Sequence, residues 1–496
     1  MKYRESERER GGPRFLTGAG AIITGAGAGL WALPAAAHAF GQRYDLPLPL
    51  DLYLGGAGAA VALSFIIAAL FVRRRAKTTG ATGIDLAGTT LGRVVMGPVP
   101  VAVLQALSLA LFALVLAAGF LGTDSTTKNF APTFVWVVWW VGMAYVAALL
   151  CNLWDLVCPW AILHRWFIAP RRKTPPRAYP THLGAWPAVV LFALFAWLET
   201  VSEAGEQPAI LAGMVSVYCA LMLAGMARYG ATAWLRQADA FSVAFGLMAR
   251  FAVVSGRLAE PRHLVLRPPG AGLLEGESVS QSMTSFVLLM LATVSYDGFV
   301  ETSAWAAIVS WVGTDMTLRP ALIDLQDAGI DLLKLLKTLA LVSGVLLFHA
   351  VYWMFATLVD AFAGRPLGIG ETARAFVLTL VPIAIAYHLA HYLSYLLLAG
   401  QLVIPLASDP FGWGWDLFGT AGHAMNIGII GPKDVWYLSV GAIVIGHVVA
   451  VYLAHVIALR LYEGARAAIL SQLPMLVLMV GYTMTSLWIL SQPIVE

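Results

Sequence analysis

The chain has 496 residues, of which 59% are hydrophobic and only 12% are charged. A soluble globular protein has about 45–50% apolar and about 25% charged residues, so this composition excludes an ordinary soluble domain and indicates a polytopic membrane protein. The net charge of +3 is not gathered on a basic, aromatic-rich face, which excludes a nucleic-acid-binding surface. The three cysteines all fall near the expected inner membrane face, so no disulfide framework is expected.

Residues 1–39 have the pattern of a secretory signal peptide or of a first signal-anchor helix. A basic segment precedes a Gly- and Ala-rich apolar run that ends in Ala37-His38-Ala39. Cleavage before His38 would leave an amine and an imidazole able to chelate copper, whereas cleavage after Ala39 would remove that histidine. In both cases the chain that follows begins outside the membrane.

Ten apolar runs long enough to cross a membrane follow, and the charges of their loops alternate as the positive-inside rule predicts. Five runs lie in a first half, 40–228, and five in a second, His-rich half, 283–496. Their predicted bounds are 52–72, 99–121, 133–151, 183–199, 209–227, 283–301, 338–358, 375–400, 436–460 and 469–490. We therefore predict an all-α fold, a polytopic membrane helix bundle of about ten transmembrane helices in a bacterial inner membrane.

Residues 229–282 interrupt the series of spans. The stretch 234–254 is amphipathic and carries arginines, and a Pro- and Arg-rich loop follows it. This pattern predicts a helix and a loop on the cytoplasmic surface. On the opposite side, 302–337 is predicted to be amphipathic, and 401–435 is the largest outer loop.

Three histidines share one expected depth in the bilayer. His349, His388 and His447 each lie about eleven residues from the outer end of a predicted span, which places them roughly 16 Å deep, near the midplane. Ionisable groups at that depth are costly, so they usually face a protein interior and mark a working site. His391 follows His388 by three residues and lies one turn nearer the outer face, on the same side of its helix.

Carboxylates occur at the outer ends of earlier spans. Asp297 and Glu301 are four residues apart, so we expect them to share one face at the outer end of their helix, and Glu199 ends another span at the same level. Three imidazoles with an open position would let a bound water ionise near neutral pH. We therefore predict a metal site that opens to the periplasm, with zinc as the preferred metal, in a hydrolase that receives a small-molecule substrate from the periplasmic side.

The predicted roles divide the residues into two groups. The metal site comprises His349, His388 and His447 as ligands, with His391 orienting them; Asp297 and Glu301 serve as the catalytic general base or lie just outside the ligands. Three alternatives stay open: haem b held between two imidazoles, a proton or ion path, and ordinary hydrogen bonding across the bundle. Copper is the further cofactor considered, and partner membrane subunits are left open.

Three stretches carry a resemblance to a known family. They are AHAFGQRYDLPLPLDLYLGGAGAAVALSF near the start, LRPPGAGLL with FVLLMLATVSYDGFVET in the middle, and MLVLMVGYTMTSLWILSQP at the end. Together they resemble a family of multi-span bacterial and archaeal membrane proteins, some of which are named fenitrothion hydrolase. The resemblance implies a membrane-embedded enzyme that hydrolyses an organophosphate triester, and it assigns no residue to a catalytic role.

Overall fold

The structure is a computed structural model that describes residues 46–72, 83–86, 88–256, 264–276, 278–364 and 366–495. Over these residues the fold is an all-α polytopic helical bundle, which confirms the predicted fold class. The expected signal segment, 1–39, and His38 with it, lies outside the described residues.

Nine helices in the described part of the chain are long and apolar enough to cross a membrane, and a tenth is apolar but shorter. In chain order the ten are α1 (Leu50–Phe71), α2 (Pro98–Leu121), α3 (Phe130–Leu149), α4 (Trp186–Thr200, the shorter one), α5 (Pro208–Tyr229), α6 (Gln281–Phe299), α7 (Leu332–Phe362), α8 (Ile369–Ser408), α9 (Pro432–Leu461) and α10 (Ala465–Val495). Each corresponds to one predicted span in the same order, and α7 and α8 extend furthest beyond their predicted ends.

The other described elements are short. The helices are Thr90–Val95, Trp154–Val157, Pro159–Leu163, His164–Ile168, Ala169–Arg171, Thr181–Leu183, Glu203–Glu206, Ala231–Gln237, Ala240–Met248, Ala271–Leu273, Ser303–Thr314 and Arg319–Asp327. Three two-residue strands, β1 (Ile84–Asp85), β2 (Val254–Ser255) and β3 (Val265–Leu266), form a small antiparallel sheet in the order β1-β3-β2.

Local sequence explains where several long helices begin. Proline occupies the first turn of α2, α4, α5 and α9, where a missing N–H costs nothing. Ser280 caps α6 by accepting from the amide of Met283, and Asp331 caps α7 by accepting from the amide of Lys334. These signals fix the start of a helix but not its orientation in the bundle.

Close helix crossings hold the bundle together. Helix α8 packs along α9, α9 along α10, and α1 against both α9 and α10, while α2 packs along α5. At Gly446 of α9 an added Cβ would meet the side chain of Ala386 and lie 2.9 Å from the carbonyl oxygen of Pro382. Small residues allow such backbone approach in membrane bundles, where packing rather than hydrophobic burial holds helices together. Helices α6 and α8 lie at the centre of the bundle, and most of their residues are buried.

The prediction of a surface helix in residues 229–282 is wrong for its central part. Helix Ala240–Met248 is buried, and Phe241 and Phe245 contact the rings of Trp139 and Trp140. The arginines that suggested a surface position lie beyond the two ends of this helix. By contrast, the segment 302–337 forms two helices, Ser303–Thr314 and Arg319–Asp327, which are mostly exposed.

Candidate functional site

Asp297 on α6 and His391 on α8 form a partly buried pair. Nε2 of His391 lies 2.9 Å from Oδ2 of Asp297, and the two side chains are 9% and 15% exposed, respectively. Because a carboxylate can only accept, the imidazole donates through Nε2–H. The hydrogen bond therefore sets the tautomer of His391 and joins two central helices.

Tyr392, the next residue along α8, extends this pair. Its hydroxyl lies 2.6 Å from the same Oδ2 of Asp297 and 3.3 Å from Oε1 of Glu199. A phenol has one hydrogen, and the shorter contact identifies Asp297 as its acceptor. A proton on Glu199 would let that carboxyl donate to the phenol oxygen in turn. The chain of hydrogen bonds is thus complete when one of the two carboxyls is protonated.

Glu199, at the end of α4, has a second partner on α3. Nε1–H of Trp140 donates to Oε1 of Glu199 over 2.6 Å. Trp140 belongs to a π-helical stretch, Thr133–Gly142, and π-helical turns are frequent at functional sites. We call Trp140, Glu199, Asp297, His391 and Tyr392 the acid cluster; it unites side chains of α3, α4, α6 and α8.

His388 lies beside the acid cluster without joining its hydrogen bonds. Its ring is 4.7 Å from the ring of Tyr392 and 5.8 Å from that of Trp140, measured between centroids. Its Nε2 is buried and has no hydrogen-bond partner among the described residues. A cavity of about 20 Å³, lined by His388, Glu199 and Asp297 among others, adjoins it. That volume and those polar walls suit one water molecule.

The other two predicted metal ligands have separate surroundings. His349 is half-buried, and its Nδ1 lies 2.9 Å from the carbonyl oxygen of Val345 in its own helix. His447 is fully buried, with Nδ1 2.8 Å from the carbonyl oxygen of Ile443 and its ring 5.8 Å from that of Tyr482. Carbonyl oxygens only accept, so Nδ1 carries the hydrogen in both rings.

The described residues contain no group of three or more His, Cys, Asp or Glu side chains that could hold a metal ion. The predicted zinc site of His349, His388, His391 and His447 therefore has no supporting geometry in this structure. Equal depth along three helices says nothing of the direction in which each side chain points, and here the rings face different neighbours. The cavity beside His388 is also far too small for the porphyrin of haem b.

Glu301, the second predicted catalytic carboxylate, lies outside the helix that carries Asp297. Helix α6 ends at Phe299, and Glu301 follows in a turn, with its amide 3.3 Å from the carbonyl oxygen of Gly298. It therefore does not share a helical face with Asp297 as the spacing predicted.

Further buried polar side chains occur at other levels of α6, α9 and α10. The hydroxyl of Ser295 donates to the carbonyl of Leu291, so the hydroxyl of Tyr482, 2.5 Å away, donates to Ser295. His455 on α9 contacts Oε1 of Gln472 at 3.0 Å and the carbonyl oxygen of Val72 at 2.9 Å. Polar groups thus occur at several depths between these helices.

Sequence reasoning found part of the acid cluster and missed part of it. Asp297 and His391 were singled out, and Glu199 was recognised as a carboxylate at the same level. Tyr392 carried a signal, since it follows His391 directly. Trp140 carried none, because its indole is one of 17 in the chain.

No protein-family model matches the chain, and neither does any curated protein or solved structure.

Proposed function

We propose that this multi-pass membrane protein is a proton-coupled transporter of a bacterial inner membrane, with the acid cluster as its proton-binding site. The observation that carries the proposal is the hydrogen-bonded order Glu199–Tyr392–Asp297–His391, buried among the central helices. Ionisable groups inside a membrane are costly and commonly mark the path of a proton or an ion.

The order of the hydrogen bonds gives a direction for proton movement. A proton on Glu199 passes to the oxygen of Tyr392 while the phenol gives its own hydrogen to Asp297, so the net result is one proton moved from Glu199 to Asp297 and an unchanged phenol. Asp297 already accepts from Tyr392 and His391 on a single oxygen, which stabilises its ionised form. Glu199 is then the carboxyl that carries the proton before transfer.

The surroundings provide a means of proton exchange. The small cavity touches Glu199, Asp297 and His388, and a water there would have several polar partners. The unpartnered Nε2 of His388 can bond such a water in either tautomer, accepting when the hydrogen is on Nδ1 and donating when it is on Nε2. The polar groups around Tyr482 and His455 supply acceptors and donors at other depths of the bundle.

The proposal is tested by transient currents after a pH jump on a solid-supported membrane that carries the purified protein. Binding of a proton inside the membrane moves charge, so the unmodified protein gives a current without any added substrate. Asp297→Asn and His391→Ala should reduce it at least about tenfold, since each removes a hydrogen bond to a charged group. The control is His349→Ala, which removes an imidazole bonded only within its own helix.

Two results would count against the proposal. One is the absence of a current from correctly folded unmodified protein. The other is an equal loss in His391→Ala and His349→Ala, which would show that any buried imidazole on a spanning helix matters as much as the one in the acid cluster.

A hydrolase is the second candidate function. A carboxylate that orients an imidazole, as Asp297 does for His391, is the arrangement of a general base, and the adjacent cavity suits a water. The family resemblance implies a phosphoric triester as substrate. Turnover of a chromogenic triester in lipid, lost in His391→Ala and kept in His349→Ala, would favour this function, whereas no turnover above protein-free lipid would remove its support.

A further inference from the structure

A large apolar cavity lies between α2, α3, α4 and α5. Its volume is about 810 Å³, which falls in the range of roughly 300–1,000 Å³ found for ligand sites. Tryptophans and phenylalanines line it, among them Trp139, Trp160, Phe195 and Phe241. We call it the lateral cavity, and nothing in the proposed function uses it.

The rim of the lateral cavity faces sideways. Leu107 on α2, Leu194 on α4 and Val217 on α5 line it and are 52%, 52% and 71% exposed. Helices α2 and α5 are long and apolar enough to cross a membrane, and α4 is an apolar helix beside them. Exposed leucine and valine at mid-helix face hydrocarbon in such a protein. The lateral cavity therefore opens into the acyl chains of the bilayer and not into water.

Most polar groups in the wall are already engaged, and the exceptions are the indole N–H groups of Trp139 and Trp154, which have no partner among the described residues. Ser108 donates to the carbonyl of Val157, and both Tyr218 and Trp160 donate to the carboxylate of Asp239, over 2.6 Å and 3.0 Å. A polar ligand would lose its hydrogen bonds to water or lipid headgroups and would find no free partner here beyond these two donors. An apolar chain loses none, and it fills space in which the aromatic walls would otherwise lack contacts.

We propose that the lateral cavity binds an acyl chain of a membrane phospholipid, which enters sideways from the bilayer. The cavity opens toward the bilayer, from which the acyl chain enters. Its volume accommodates the chain, and its apolar wall favours the chain over a polar ligand. Binding of the acyl chain does not require that the acid cluster binds protons.

The bound chain would lie against the wall of the acid cluster. Trp139 lines the lateral cavity, and the next residue, Trp140, donates to Glu199; Leu198 likewise lines the lateral cavity, and the next residue is Glu199. Phe195 lines it as well, with its ring 4.7 Å from that of Trp140. Occupancy of the cavity therefore bears on the orientation of the indole that holds Glu199.

The test uses the full chain, purified in mild detergent and washed until loosely held lipid is gone. Gly213 on α5 lines the cavity, and an added Cβ there meets nothing within 4 Å, so Gly213→Phe fills the space without a backbone clash. Gly344→Phe on α7 is the matched control, since its Cβ also meets nothing within 4 Å and it lies outside the lining. Unmodified protein and Gly344→Phe should retain a stoichiometric phospholipid by mass spectrometry, and Gly213→Phe should lose it.

A second measurement needs no variant. A phospholipid with a photoreactive group on its acyl chain should label helix Ala240–Met248, because Phe241 lines the cavity yet is only 6% exposed. Lipid on the outer surface of the bundle cannot reach that ring. Labelling confined to exposed residues such as Val217, or equal lipid retention in Gly213→Phe and Gly344→Phe, would overturn the proposal.

Discussion

The acid cluster and the lateral cavity lie on the two sides of one wall and have opposite chemistry. On α3, Trp139 faces the cavity while Trp140 donates to Glu199; on α4, Leu198 faces the cavity while Glu199 accepts. Both regions are largely buried. The acid cluster is filled with hydrogen bonds, whereas the lining of the lateral cavity has almost no free polar group. A shift of one residue along either helix changes the environment from polar to apolar.

The difference shows what burial requires of each kind of side chain. A buried carboxyl needs partners in fixed positions, because a polar group left unpaired costs free energy. Glu199 obtains them from a π-helical indole and from a tyrosine on another helix. The apolar side needs only shape, so its residues can be exchanged for others of similar volume at a small cost. Substitutions that place a polar group on the apolar side of the wall, or remove one from the polar side, should therefore have the largest effects on stability.

The largest effect is expected for Leu198→Glu, which places a carboxylate in the lateral cavity. The lining contains no cationic side chain, and its free donors are the indole N–H groups of Trp139 and Trp154, so the charge stays poorly paired or the group takes up a proton. Either outcome costs on the order of 2 kcal/mol or more in a membrane-embedded helix. We expect a lower midpoint of thermal unfolding in a lipid nanodisc. Leu417→Glu, at an exposed position of the loop between α8 and α9, is the comparison, and an unchanged midpoint in Leu198→Glu would show that the cavity admits water.

A smaller effect is the difference in stability expected between Trp140→Phe and Trp139→Phe. The first removes the donor to Glu199 and leaves that acceptor without its indole partner, which should cost about 1–3 kcal/mol. The second removes an indole N–H that is buried without a partner among the described residues, so it loses packing but no hydrogen bond. Unfolding midpoints measured in the same nanodiscs compare the two. Equal losses would mean that the hydrogen bond to Glu199 adds nothing beyond ring volume.

Tyr392→Phe should have a still smaller effect on stability and a clear effect on proton movement. Only the hydroxyl is lost, and Asp297 keeps His391 as a donor, so the cost is about 1 kcal/mol. The hydrogen-bonded link between Glu199 and Asp297 is broken, however, so the pH-jump current should fall. Tyr452→Phe, at a tyrosine 45% exposed on α9, should leave both quantities unchanged. A full current in Tyr392→Phe would exclude the phenol from the proton path.

The order of the ten helices could be predicted from sequence because hydropathy and loop charge act along the chain. The position of helix Ala240–Met248 could not, since Arg236 and Arg250 at its two sides gave the stretch a surface-like pattern while Phe241 and Phe245 were needed in the core. Similarly, the sequence predicts a common depth for His349 and His447, but the direction of each ring depends on the rotation of its helix. Rotation is set by packing, for instance at Gly446 against Ala386, and single-sequence patterns do not contain it.

The pairing of Asp297 with His391 likewise could not be predicted from the sequence. The sequence marks both residues as ionisable groups that are costly inside a membrane. That cost does not identify the partner of either residue. Their contact follows from the crossing of α6 and α8, where a Cβ at Gly298 would meet the hydroxyl of Tyr387. Trp140 lies in the π-helical stretch of α3. No proline or glycine at Trp140 itself signals that stretch in the sequence.

The smallest effect is expected at Asp315, an exposed carboxylate that serves as a reference for the buried Glu199. Hydrogen bonds from the hydroxyl and amide of Thr317 and from the amide of Leu318 hold the pKa of Asp315 below its ordinary value. A carboxyl whose pKa is lowered on folding stabilises the turn above its unfolded pKa, and this stabilisation is lost as the pH falls through the lowered value. Hydrogen exchange at the amides of Thr317 and Leu318, corrected for intrinsic rates, should therefore rise at acidic pH. Asp315→Ala should abolish that pH dependence and Asp324→Ala should keep it; the same acid response in both variants would locate its origin elsewhere in the turn.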